Sequence, residues 1–109
     1  MKTKELGRIA DISFGLGGYQ DVMLGVTVQL GTRSWGVADF NGTWSFPPSE
    51  GAKWTLEDQT KQWGEMCRWV ASLLEDAKKQ KLSELVNVPV EVTMEDGRLV
   101  SWRILKEVL

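Results

Sequence analysis

Residues 55–77 read Thr-Leu-Glu-Asp-Gln-Thr-Lys-Gln-Trp-Gly-Glu-Met-Cys-Arg-Trp-Val-Ala-Ser-Leu-Leu-Glu-Asp-Ala, and the fold class turns on this stretch. Thr55 stands three residues before Asp58, with Glu57 between them, the pattern of a hydroxyl cap and an acidic first turn that opens a helix. At 100° per residue, Leu56, Trp63, Cys67, Val70, Leu74 and Ala77 fall within about 40° of one direction, an apolar stripe along the whole segment. The spacing predicts one helix from Thr55 to about Ala77–Gln80, roughly 36 Å long. Gly64 costs it about 1 kcal/mol, which a long helix packed on a sheet absorbs.

On the N-terminal side the period changes from that of a helix to that of strands. Ala10, Ile12 and Phe14 alternate with polar residues, and Val22, Leu24, Val26, Val28 and Leu30 alternate again. Gly15-Leu16-Gly17-Gly18-Tyr19 reads as the turn between them, which sets Ile12 opposite Val22 and Ala10 opposite Leu24. Gly31-Thr32 reads as a two-residue turn that pairs Val28 with Trp35 and Val26 with Val37 and puts Asp39 opposite Leu24. Residues 41–54 hold turn formers and three large aromatics, and read as a long loop. After the helix and a short Leu82–Leu85 segment comes a second hairpin. A three-residue loop with Gly97 in the left-handed region pairs Val92 with Val100, Val90 with Trp102 and Val88 with Ile104, an all-apolar register. The order β-β-β-α-β-β predicts one α+β domain over residues 1–109: two layers, an antiparallel sheet of about five strands with one long helix on one face.

Composition narrows the chemistry. The 109 residues carry 13 basic and 15 acidic side chains, a formal net charge of −2, with no basic field suited to a phosphate backbone, so a nucleic-acid partner is not expected. There is one cysteine, Cys67, and no histidine, which removes an intramolecular disulfide, a Cys/His zinc site and every histidine-based triad. Neither a cofactor nor a metal is expected. No run of apolar residues is long enough to span a membrane, and the charged start Met1–Glu5 resembles no signal segment, so a soluble protein of the cytoplasm is expected.

Three places could hold a function. Gly15, Gly17 and Gly18 resemble a phosphate cradle but connect two strands, where such loops lead into a helix, and a glycine turn explains them. Asp39 is the one carboxylate that the register turns toward apolar neighbours, a setting that could poise an acid or base. It lacks a histidine or a second acid, which ranks a small carboxylate hydrolase last and makes a non-enzyme the expectation. The third place is aromatic. Trp35, Trp63 and Trp102 fall on core faces. Trp69 lies about 120° from the centre of the helix stripe, beside Met66 and Leu73, and Trp44, Phe46 and Trp54 sit on the long loop. A loop folded over the helix flank would account for both groups. Otherwise they form a contact surface.

The words Phe14-Gly15-Leu16-Gly17-Gly18-Tyr19-Gln20-Asp21, Trp35-Gly36-Val37, Lys53-Trp54-Thr55 and Pro89-Val90-Glu91-Val92, with the ending Arg103-Ile104-Leu105, resemble a group of small proteins encoded by bacteriophages, prophages and other bacterial mobile elements. The resemblance implies the cytoplasm of a host bacterium and an accessory or counter-defence role. It carries over no catalytic residue. The leading expectation is therefore non-catalytic binding of a protein, or self-association, through Trp44, Phe46, Trp54 and the Trp69, Met66, Leu73 flank. The alternative is a nucleotide-type ligand stacked on Tyr19 or Trp44, with its phosphate met by the glycine-loop amides or Arg33.

Overall fold

The computed structural model describes all of residues 1–109. Its elements are β1 (Lys2–Gly17), β2 (Met23–Gly31), β3 (Gly36–Trp44), α1 (Leu56–Ala77), β4 (Pro89–Glu95) and β5 (Arg98–Ile104), with short 3-10 turns at Tyr19–Asp21, Leu82–Leu85 and Lys106–Val108. The five strands form one antiparallel sheet in the order β3-β2-β1-β4-β5, and α1 packs on one face, the two-layer α+β architecture expected from the pattern. No helix is long and apolar enough to cross a membrane.

Strand β1 is 16 residues long and joins two hairpins that scarcely overlap. Its first part, Lys2 to Arg8, pairs with β4, and the part from Arg8 to Gly17 pairs with β2, with a bulge between Ile9 and Asp11. Only around Arg8, which lies opposite both Gly31 and Pro89, is the sheet continuous from one hairpin to the other. The molecule is accordingly long and thin, 47 × 34 × 18 Å. On the helix face Ile9, Val28, Val90, Val92 and Leu85 lose all contact with solvent.

The registers differ from those expected, each in the same manner. Ile12 lies opposite Val28, and the chain turns at Gly18–Val22, so that Gly15-Leu16-Gly17 belongs to the strand and not to a loop. Val28 lies opposite Asp39 and Leu30 opposite Val37, because the turn spans four residues, Thr32–Trp35, clasped by a bond from the Thr32 amide to the Trp35 carbonyl (2.9 Å). Trp35 thus precedes β3 and is not paired within it. In the last hairpin the turn is the two-residue Asp96-Gly97, both with positive φ (51° and 78°), and the bulge comes later, at Val100. Val92 then meets Trp102 and Val90 meets Ile104. Gly97 has the expected left-handed conformation, but in a tighter turn.

Helix α1 begins where the cap pattern places it. The Thr55 hydroxyl accepts from the Asp58 amide (3.1 Å) and the Asp58 carboxylate accepts from the Thr55 amide (2.8 Å). Thr55→Ala should lower stability by about 1 kcal/mol, read as a lower denaturant midpoint. Lys78 ends the helix in the left-handed region.

The buried face of α1 is not the expected stripe. Met66, Leu73 and Ala77 are buried, with Trp69, Val70 and Leu74 packed partly against them, whereas Cys67 is exposed and Leu56 is 60% exposed. The face is rotated by about 60° from the apolar stripe. Its N-terminal half explains the rotation: Gln59 and Gln62 lie on the same line as Met66 and Leu73 and face β3, where Gln62 accepts from the Thr43 hydroxyl (2.6 Å). Gln59 donates its amide to the carbonyls of Trp44 (2.6 Å) and Phe46 (3.0 Å). Polar side chains tied to an edge strand count as inward-facing, which hydropathy alone does not register.

Candidate functional site

Some of the expected site residues are taken up by packing, whereas Phe46 (44%), Tyr19 and Arg33 stay exposed. Met66 and Leu73 belong to the core. Trp69 packs against that core and meets Trp102 edge-on at 6.2 Å, so β5 covers the flank that the sequence left open. Trp44, Phe46 and Trp54 gather into a cluster of their own, with Trp44 stacked on Trp54 at 6.0 Å and Phe46 within 6.1 Å of both. This cluster, tied to α1 through Gln59, closes the end of β3. The ring contacts of this cluster are with one another, and that of Trp69 is with Trp102.

Asp39 is equally occupied. Its carboxylate accepts from the Trp102 indole N–H at 2.8 Å, a bond that joins the two edge strands across the helix face of the sheet. Asp39→Ala strands the indole N–H and is expected to cost about 1–3 kcal/mol, whereas Asp39→Leu combined with Trp102→Phe, which removes both partners, should cost less than the sum of its parts. Denaturant midpoints of the two singles and the double decide this.

Tyr19, 66% exposed, lies in the β1–β2 turn, at the end of the sheet where Trp44 lies. Arg33 lies in the β2–β3 turn at the opposite end, beside Arg8 in a shallow recess of about 380 Å³ lined also by Leu6, Gly7, Gly31 and Thr32. The length of β2, roughly 27 Å, separates the two. A ligand stacked on Tyr19 or Trp44 cannot also meet Arg33, and Gly15 and Gly17 form part of a strand and not of a cradle.

Of the binding candidates read from sequence, one, Trp44, borders the surface left open. Between the ends of β2 and β3 and the first turns of α1 runs an open cleft of about 320 Å³, lined by Leu24, Thr43, Trp44, Ser45, Gln59, Thr60 and Trp63. Its polar side chains are committed within the chain. Thr43 and Gln59 bond as described, the Thr60 hydroxyl donates to the Leu56 carbonyl (2.9 Å), and the Ser45 hydroxyl donates to the Val22 carbonyl (2.8 Å). What faces outward is apolar. Trp63, expected in the core, is 36% exposed and meets Phe14 edge-on at 6.0 Å; Phe14 is 52% exposed and Leu16 67%.

Phe14 and Leu16 share the face of Val26 and Leu24, their partners on β2, yet they extend past the cover of α1. A sequence signal for this existed. Ile12, Phe14 and Leu16 alternate with Ser13, Gly15 and Gly17, the period of a continuing strand, which reading the glycines as a turn conceals.

Beside this patch runs an unpaired strand edge. On the β4 side, β1 is bonded only as far as Ile9, whose amide donates to the Val88 carbonyl (3.0 Å) and whose carbonyl accepts from the Asn87 amide (2.7 Å). From Asp11 to Gly17 the strand has β2 on one side and no backbone partner on the other. A second open edge lies on the β2 side of Lys2–Leu6, and it carries Lys2, Lys4 and Glu5, charges of the kind that discourage strand addition. The segment Ile12–Gly17 carries no charge and no proline.

Two shifts in acidity lie elsewhere. Hydrogen bonds from Arg103 to Glu107 (3.0 Å each from its two terminal nitrogens) and then to Glu91 (3.3 Å) raise the guanidinium, and the Arg103 bond holds the Glu107 carboxyl below its ordinary value. The clamp is complete above the carboxylate range and loosens as pH falls through it. No three acidic or cysteine side chains converge on a point that could hold an ion. Comparison of the chain with models of protein families, with curated proteins and with solved structures returns no match.

Proposed function

We propose that this chain is a non-catalytic binding protein whose partner is another polypeptide, received by the Phe14, Leu16, Leu24, Trp63 patch and the strand edge beside it. The observation that carries the reading is their coincidence: exposed apolar side chains on the core face of a sheet lie next to backbone groups with no partner. Large apolar side chains supply the energy of an interface, and free amides and carbonyls recognise an extended chain. On this reading the aromatic surface, expected at the Trp69 flank or the Trp44, Phe46, Trp54 loop, centres on Trp63 and Phe14, with Trp44 at its border. That the binding serves a phage or other mobile element, as a counter-defence protein in the host cytoplasm, rests on the resemblance of the sequence words described first.

Selection of displayed peptides of about eight residues against the chain, immobilised at low density, tests the reading. Binders should alternate apolar and polar residues and should lose about tenfold or more in affinity against Phe14→Lys and Trp63→Ala. Binders indifferent to both variants, with the parent chain monomeric, would place the function elsewhere. A nucleotide-type ligand is less well supported, because the Thr43, Ser45, Gln59 and Thr60 side chains around the cleft are engaged within the chain and Arg8 and Arg33 lie at the other end. Calorimetry with cyclic and linear nucleotides should give no heat.

A further inference from the structure

The proposed function leaves the partner open, and the open edge itself narrows it. We infer that the occupant of the Asp11–Gly17 edge is a second copy of this chain, paired antiparallel about a two-fold axis at Phe14. This inference rests on the binding role proposed above and deepens it.

The segment is self-complementary. In a two-fold pair the same segment meets itself reversed, so residue i stands opposite residue 28 − i when the axis passes through Phe14. Phe14 then meets the other Phe14, Ile12 meets Leu16, Ser13 meets Gly15, and Asp11 meets Gly17. Each apolar side chain on the helix face finds an apolar one, and the single charge of the segment, Asp11, lies opposite a glycine and not opposite its own copy. Like charges facing one another would oppose pairing, and here none do.

The ends of the segment fit as well. Beyond Asp11 the edge is bounded by Val86 and the Leu82–Leu85 turn, since Asn87 bonds to Ile9. The reversed copy brings Gly17 and Gly18 to that place, residues with no side chain to accommodate. Trp63, already against Phe14, would flank the axis on both sides, so that the exposed aromatic surface of each copy is covered by the other. The contrast along β1 points the same way. The edge at Lys2–Leu6 bears charges suited to staying unpaired, whereas Ile12–Gly17 bears none, and an unguarded apolar edge is the kind that a partner covers.

Light scattering on a sizing column, run with the full chain up to high micromolar concentration, should give twice the chain mass. Phe14→Lys, which sets two ammonium groups at the axis, should raise the dimer dissociation constant by about a hundredfold with an unchanged circular dichroism spectrum. A second measurement holds even if that variant folds poorly. In a Cys67→Ser background, Ser13→Cys mixed with Gly15→Cys should form a disulfide-linked pair on mild oxidation, whereas Asp11→Cys alone should not, its two copies lying about 20 Å apart in this register. A dimer that links equally through Asp11→Cys, or that persists in a folded Phe14→Lys, overturns the register. A monomeric parent that still selects peptides through Phe14 overturns self-pairing and leaves the binding role standing, and a monomeric parent that selects none overturns both.

Discussion

Gly25→Ala is expected to destabilise the protein by about 3 kcal/mol or more, and Gly15→Ala, one strand away in the same row, by little. Gly15, Gly25 and Gly42 lie side by side across β1, β2 and β3. At Gly25 a Cβ would stand 2.3 Å from the Asn41 carbonyl oxygen and 2.6 Å from the Gly42 Cα, and at Gly42 it would stand 2.3 Å from the Leu24 carbonyl oxygen. These are backbone atoms held by sheet hydrogen bonds and cannot swing aside as a side-chain end would. At Gly15 the same Cβ meets nothing within 4 Å. The two glycines therefore allow β2 and β3 to crease against each other just below the cleft. Urea unfolding followed by tryptophan fluorescence measures both variants, and a Gly25→Ala midpoint equal to the parent's would show that the crease is dispensable.

Met66→Ala should cost about 2–5 kcal/mol and Cys67→Ala less than about 0.5 kcal/mol, although the apolar stripe assigns the inward position to Cys67. Met66 is 4% exposed, among the core side chains, and its loss leaves a void that the rigid sheet below cannot close. Cys67, one position further round the helix, faces out. Chemical denaturation of the two single variants decides the orientation of α1. Equal losses, or a larger one at Cys67, would restore the stripe.

The register differences share a cause. Observed pairings depart from the expected ones by six residues between β1 and β2, by four between β2 and β3, and by two between β4 and β5, taking Ile12↔Val28, Val28↔Asp39 and Val92↔Trp102 against Val22, Trp35 and Val100. All are even. Alternation fixes which face a residue takes, and a slip by an even number keeps every face while changing every partner, so apolar-to-apolar matching cannot choose among such slips. What chooses is turn chemistry: four residues at Thr32–Trp35, the positive-φ pair Asp96-Gly97, and a turn that begins only at Gly18. Element order, the helix cap and most strand faces were therefore legible, except where the bulges leave Ala10 and Val100 exposed and Ile9 and Leu99 take the inward places. The length of β1 was not, because Lys2–Arg8 lacks clear alternation and glycines stand in its other half.

The site was legible only in kind. Sequence pointed to aromatics, but Trp69 meets Trp102, a contact between residues far apart in the chain, and the aromatic loop packs on itself while leaving Phe46 exposed and Trp44 on the cleft. Trp63 fell on the stripe, and the stripe was rotated by two glutamines whose inward direction depends on β3.

The arrangement of β1 also dictates an order of folding. One end of the strand needs β2, its close neighbour along the chain, while the other needs β4, and the outermost contact joins Met1 to Asp96, 95 residues away. Closing the nearer hairpin costs little entropy, whereas the farther pairing waits for β4 to emerge. The stretch from Asp11 to Trp44 can zip as a three-stranded meander during synthesis, whereas Lys2–Gly7 stays without its partner until β4 and β5 arrive. Native-state amide exchange should record this history as two tiers of protection within a single strand, with Arg8 and Ile9 at the step between them.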